Sequence, residues 1–208
     1  MKFTLVIGLS LGLLGVAPPS GDQLLARAGS ATGLTSYSVP VHFDVHMHRP
    51  LGISTAVEGI VYFKAPAHGA LVITKMPSII GHFFKGSYSL DLNPQTWPAK
   101  YTVTSVSPGQ AEGMPVYALR SVPKADPSVD HVVFTVTQAD DTPLSVVWSY
   151  RDGSSISVTM QCQRVSGNAL PQTESITVNM PQYALDAKAK YGSYALNAAV
   201  PDSVFASH

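Results

Sequence analysis

The sequence predicts a mainly β fold: a strongly curved antiparallel sheet, an incomplete β-barrel, with one or two short covering helices. Three observations predict it. Several segments alternate apolar and polar residues with a period of two, the signature of strands with one wet and one greasy face. Glycine and proline punctuate the chain at the short spacing of antiparallel connections. Only one or two stretches read as helix, so the greasy face must be covered largely by the sheet curving over itself.

The chain opens with Met1-Lys2, then the apolar run 3–16, then Ala17-Pro18-Pro19-Ser20-Gly21. This is the pattern of a secretory signal peptide over residues 1–20, followed by a single domain over 21–208. The apolar run is shorter than the ~20 residues a membrane span needs, an uncleaved anchor being the alternative. Prolines interrupt the obvious small-x-small cleavage sites, and Ala26-Arg27-Ala28 is a second option. No cysteine follows the run, which excludes lipid attachment by the bacterial lipoprotein route. Cys162 is the only cysteine in 208 residues, so no intramolecular disulfide can form. That absence favours a bacterial periplasmic or secreted protein over a eukaryotic exported domain. Formal net charge is zero and charged residues are 12% of the chain, so nothing points to nucleic acid or an anionic surface.

The elements follow in order. Asp22 is placed to cap a short helix over 23–28. Residues Tyr37 to His48 alternate without a fault. Tyr37, Val39, Val41, Phe43, Val45 and Met47 form one face; Ser38, Pro40, His42, Asp44, His46 and His48 form the other. Residues 51–54 read as a turn, and strands follow at about 56–64 and 70–75, stopped by Pro66 and Pro77. Residues 79–84 suit a short helix. Asn93-Pro94 and Trp97-Pro98 mark a loop. Strands at 101–106 and 114–122 flank a Gly- and Pro-containing hairpin. Further strands are expected at 131–137, 144–150, 155–165, 173–180 and 183–197. Arg151-Asp152-Gly153 is a strong tight-turn signal between two of them. Ile156, Val158, Met160 and Cys162 share one parity, which makes Cys162 a buried, inert thiol.

The order of elements and several local phrases resemble the LolA-like superfamily of outer-membrane lipoprotein carriers. The phrases are Leu24-Leu25-Ala26-Arg27, Leu34-Thr35-Ser36-Tyr37, and Gly59-Ile60-Val61-Tyr62-Phe63-Lys64-Ala65-Pro66. Tyr117-Ala118-Leu119-Arg120, Arg151-Asp152-Gly153, Tyr194-Ala195-Leu196-Asn197 and 200–205 continue the series. The resemblance spans roughly residues 22–205. It implies an incomplete barrel around an apolar cavity capped by helices, and a role in carrying lipoprotein acyl chains or lipids. The stretch 77–98, rich in proline and aromatics, departs from the family's helical plug, and the loop at 124–130 is short of apolar residues.

The expected function is therefore non-enzymatic binding or carriage of a hydrophobic molecule, lipid or lipoprotein, with no cofactor. A membrane donor or acceptor protein is an implied partner; nucleic acid is not. The expected guest contacts are Val41, Phe43, Val45, Val61, Phe63, Phe134, Val146, Trp148, Val158 and Met160. Two other readings stand beside it. His42, His46 and His48, with Asp44, have metal-ligand chemistry on one strand face. Neighbours two apart on a strand stand about 6–7 Å apart, so two imidazoles could share an ion but all four groups could not without a bulge. The plain alternative for that face is solvent. The third reading is a structural domain whose core is simply full. No G-x-S-x-G elbow, phosphate loop or zincin motif occurs, and Asp140-Asp141 beside Thr142-Pro143 reads as a turn rather than an acid/base pair.

Overall fold

A computed structural model describes residues 19–30, 33–78 and 93–205. The expected signal segment over 1–20, all but its last two residues, and the expected helix at 79–84 lie outside the described residues. Helix α1 spans Gly21–Ala28. The strands are β1 Ser36–Arg49, β2 Ile53–Lys64, β3 His68–Lys75, β4 Tyr101–Ala111, β5 Met114–Pro123, β6 Val129–Thr137, β7 Pro143–Tyr150, β8 Ser155–Val165, β9 Asn168–Asn179, β10 Ala184–Tyr191 and β11 Ala195–Leu196. A one-turn 3-10 segment, Pro94–Thr96, runs into the four-residue helix α2, Trp97–Lys100.

The strands form one antiparallel sheet in the order β3-β2-β1-β10-β9-β8-β7-β6-β5-β4, with β11 added to the start of β1. Sheet neighbours are sequence neighbours except where β10 and β11 pair with β1. The end strands β3 and β4 do not pair with each other, so the sheet is not closed into a barrel. β1 carries the predicted alternation intact: every odd position from Tyr37 to Met47 is buried, while the even positions are partly or fully exposed.

Register turns this alternation into continuous rows on the inner face. One row runs Val45, Ala187, Ile176, Val158, Val146, Phe134, Leu119, each opposite the next on the neighbouring strand. The next runs Met47, Leu185, Val178, Ile156, Trp148, Val132, Ser121. Such cross-strand contacts are the unit of sheet stabilisation, and here they fuse with α1 and Trp97 into a single core.

Several boundaries differ from the sequence reading for identifiable reasons. Helix α1 begins two residues earlier, because Ser20 is its cap. The Ser20 Oγ accepts from Gln23 N at 3.3 Å and Gln23 Oε1 accepts from Ser20 N at 3.0 Å, a reciprocal capping box. Asp22 instead accepts from Val103 N at 2.8 Å, tying α1 to β4. Residues 53–54, expected in a turn, already belong to β2. Residues 94–100 are helical rather than loop, since Pro94 and Pro98 occupy first-turn positions where no N–H is missed. The strand β4 runs on through Pro108 and Gly109 to a two-residue turn, Glu112-Gly113, whose positive φ values of 49° and 79° match the twist of the hairpin.

β9 begins five residues earlier than expected. Pro171 is tolerated inside it because it sits at a bulge, opposite Cys162, where the register shifts. The run 183–197 is two strands, not one. Pro40 in β1 has no N–H to donate, and the chain loops out at 192–194, with Gly192 N donating to Pro40 O at 2.8 Å.

The inner face is covered by α1, through Leu24, Leu25 and Ala28, and by Trp97. Arg27 on α1 pairs with Asp141 in the β6–β7 turn at 2.6 Å. The two covering pieces meet closely: a Cβ placed on Gly29 would lie 2.5 Å from Pro94 O and 3.1 Å from Pro98 Cδ. Gly29→Ala is therefore expected to push α1 off the 94–98 turn and cost about 1–3 kcal/mol. Chemical denaturation checks this, and an unchanged midpoint would mean that the contact bears no strain.

Candidate functional site

All ten residues predicted to meet a guest lie on the inner face and are buried, none more than 7% exposed. Register sorts them into four groups. Val45, Val158, Val146 and Phe134 share the first row, and Trp148 sits in the second. Phe43 and Met160 flank the first row on its other side, in the row Phe43, Ala189, Glu174, Met160. Val41 lies next to Phe43 along β1, opposite Tyr191, and Val61 and Phe63 lie on β2 toward the β3 edge, with Phe63 opposite Tyr37.

Aromatic side chains of α2 and of the start of β4 engage the β6–β7 part of this surface. The Trp97 ring is fully buried, with its centroid 4.5 Å from that of Phe134. Tyr101 meets Phe134 edge-on at 5.2 Å and accepts a hydrogen bond from Trp148 Nε1 at 2.8 Å. The indole thus has its N–H satisfied inside an otherwise apolar wall, as a buried tryptophan requires.

One residue that the sequence reading passed over stands on this face. Glu174 is 2% exposed and projects inward from β9, between Ala189 and Met160. Its Oε2 accepts from the Tyr191 hydroxyl at 2.9 Å, while Oε1 has no partner among the described residues. Burial pushes its acid up to about 8, against the smaller opposing pull of the Tyr191 hydrogen bond, which favours the neutral form of the group. The same burial raises the Tyr191 hydroxyl well above its usual value. The signal was present in the sequence: Glu174 shares parity with Ile176, Val178 and Met180.

Around it lies a polar seam in the core. Tyr191 stacks on Tyr194 at 6.5 Å, and Tyr194 meets Tyr37 edge-on at 5.3 Å. The Tyr194 hydroxyl donates to Pro171 O at 2.6 Å, and Tyr37 donates to Gln95 Oε1 at 3.4 Å. Gln95 Nε2 and Asn93 Nδ2 are also buried without a hydrogen-bond partner among the described residues. Cys162 is half-buried beside this seam. Its thiol is pushed up to about 12, mainly by desolvation, which suits the inert role expected of it.

The histidine face points away from all of this. His42 Nδ1 lies 2.7 Å from Glu58 Oε1 and Nε2 lies 3.2 Å from Asp44 Oδ1; these bonds, Glu58's first, raise its pKa. His48 pairs with Asp186 at 2.7 Å and His46 meets Ser54 Oγ at 2.8 Å. The imidazoles are therefore spent on separate neighbours. No group of three or more His, Cys, Asp or Glu among the described residues is arranged to hold a metal ion. Asp140 sits in the β6–β7 turn, held near 2 mainly by the Thr137 hydroxyl, and acts as a turn brace.

No protein-family model and no curated protein sequence matches the chain. Solved structures do match its fold. A LolA superfamily protein from Nitrosomonas europaea superposes with a TM-score of 0.65 at 15% identity, over 91% of this chain and 99% of that one. An outer membrane lipoprotein-sorting protein domain from Vibrio parahaemolyticus gives 0.61 at 10% identity, over 89% and 93%. A DUF1329 family protein from Desulfovibrio piger gives 0.61 at 11% identity, over 89% and 95%. The fold is LolA-like, as the sequence phrases implied.

Proposed function

We propose that the chain is an exported, non-enzymatic carrier of a hydrophobic molecule, a lipid or the acyl chain of a lipoprotein, held against the inner face of the sheet. The observation that carries this reading is the architecture of that face. Rows of apolar side chains cross most of the sheet, yet the sheet is not closed, and much of its cover is two short helical pieces. Moving them would expose a long apolar surface without breaking a strand pair. Burial of an acyl chain there is worth about 0.8 kcal/mol per methylene, enough to drive binding without catalytic groups. Val41, Phe43, Val45, Val61, Phe63, Phe134, Val146, Trp148, Val158 and Met160 form the proposed contact surface. The likeness to a lipoprotein-sorting domain supports the cargo class at the level of fold.

The leader-like pattern over 1–20 supports export to the periplasm or beyond. No helix among the described residues is long and apolar enough to cross a membrane. Ser20 and Ala28 both serve α1, so processing ahead of Ser20 would leave the cover intact, whereas processing at Ala28 would remove it.

Native mass spectrometry of the protein extracted from cells tests the proposal. A bound lipid or acylated species is the expected result. A bare polypeptide, with no uptake of the neutral fluorophore N-phenyl-1-naphthylamine, would identify a structural domain with a filled core instead.

A further inference from the structure

Glu174 is a liability to the fold as it stands. A carboxyl group taken out of water on an apolar wall, with only one of its oxygens paired among the described residues, bears the desolvation penalty of the other uncompensated. Leucine or methionine would fill the place between Ala189 and Met160 without that cost. Its position is not peripheral: it shares a cross-strand row with Phe43 and Met160, two of the proposed guest contacts, and borders the row of Val45, Val158 and Phe134. Tyr191 orients it by donating to Oε2, which leaves Oε1 as the free end of the group.

We propose that Glu174, oriented by Tyr191, is a polar anchor that donates a hydrogen bond to the carbonyl oxygen of an ester or carboxylic acid at the head of an acyl guest. The inference rests on the carriage reading and narrows its cargo to amphiphiles with an acceptor oxygen rather than pure hydrocarbon. The chemistry follows from protonation. A neutral carboxyl whose Oε2 accepts from tyrosine carries its proton on Oε1, as a donor. An ester carbonyl has acceptor oxygens only, so the two are complementary. Gln95 Nε2 and Asn93 Nδ2 add buried donors on the cover side of the tyrosine seam, and they too have no partner among the described residues. Burial raises the Tyr191 and Tyr194 hydroxyls and the Cys162 thiol, which keeps these three neighbours uncharged at neutral pH, while the charged Arg164 and Asp140 act on the seam from the Cys162 side.

The test is displacement of N-phenyl-1-naphthylamine by methyl laurate and by tetradecane, with folding of each variant checked by circular dichroism. Glu174→Leu should weaken methyl laurate about tenfold, the equivalent of ~1.4 kcal/mol, and leave tetradecane unchanged. Glu174→Gln keeps an N–H donor at the same place and should leave both unchanged. A second measurement needs no variant: the carbonyl infrared band of carbon-13 methyl laurate should fall to the hydrogen-bonded frequency on binding. Equal losses for both ligands in Glu174→Leu, no loss for methyl laurate, or an unshifted carbonyl band would overturn the anchor while leaving carriage in place. Failure of wild-type protein to exchange the fluorophore for either ligand would overturn carriage and anchor together.

Discussion

Trp97→Ala is expected to destabilise the protein by about 3–5 kcal/mol and to raise its uptake of apolar probes. The ring is fully buried and lies 4.5 Å from Phe134, near the β5 end of the longest apolar row. Removing it leaves a cavity walled by Phe134 and its neighbours, and an apolar cavity stays dry and receptive to apolar guests. For a domain of this size the loss corresponds to a fall in Tm on the order of 10 °C. Calorimetry and N-phenyl-1-naphthylamine titration of the same preparation check both halves. A loss below about 1 kcal/mol would show that the cover does not rest on Trp97. A full loss of stability with no gain in probe uptake would place guest entry elsewhere on the inner face.

The second large effect is a dependence of stability on pH that runs opposite to the usual carboxylate. Glu174 has its folded pKa raised to about 8 from an ordinary value of 4.5. Between those two values the folded protein holds a proton that the unfolded chain has released. Stability therefore falls as pH rises through the window and levels off above it, with a slope of at most about 1.4 kcal/mol per pH unit. From pH 5 to pH 8 the contribution is about 3 kcal/mol by the same linkage. Glu174→Gln cannot ionise and should abolish that difference while other groups, such as the depressed Asp140, cancel in the comparison. Urea denaturation of both proteins at the two pH values measures it. Parallel pH profiles for wild type and variant would mean that Glu174 is already ionised, or solvated, in the folded state.

How far the site could be read from the chain differs residue by residue. The ten apolar candidates were legible because a period of two assigns faces, and every one of them is buried where parity put it. Glu174 was equally assigned by parity, but its polar type conceals it when faces are scored by apolar content; the informative reading is a lone acid in an apolar series. The tyrosine seam was not legible at all. Tyr37, Tyr191 and Tyr194 converge only because β10 returns beside β1 and the chain then loops out opposite Pro40. Trp97 was read as loop because Trp-Pro looks like punctuation, whereas proline in a first turn opens a helix.

By itself the sequence determined the secondary structure of the sheet, its two faces, and the resemblance that placed the fold. These are local properties: alternation and turn chemistry act within a few residues, and antiparallel neighbours need only short connections. Tertiary structure alone decided that β10 returns beside β1, what covers the inner face, and that Glu174 is buried with one oxygen unpaired among the described residues. Those depend on pairings across long stretches of chain, such as Phe43 with Ala189 and Trp97 with Phe134. A period of two records which way a side chain points, but not what it meets there.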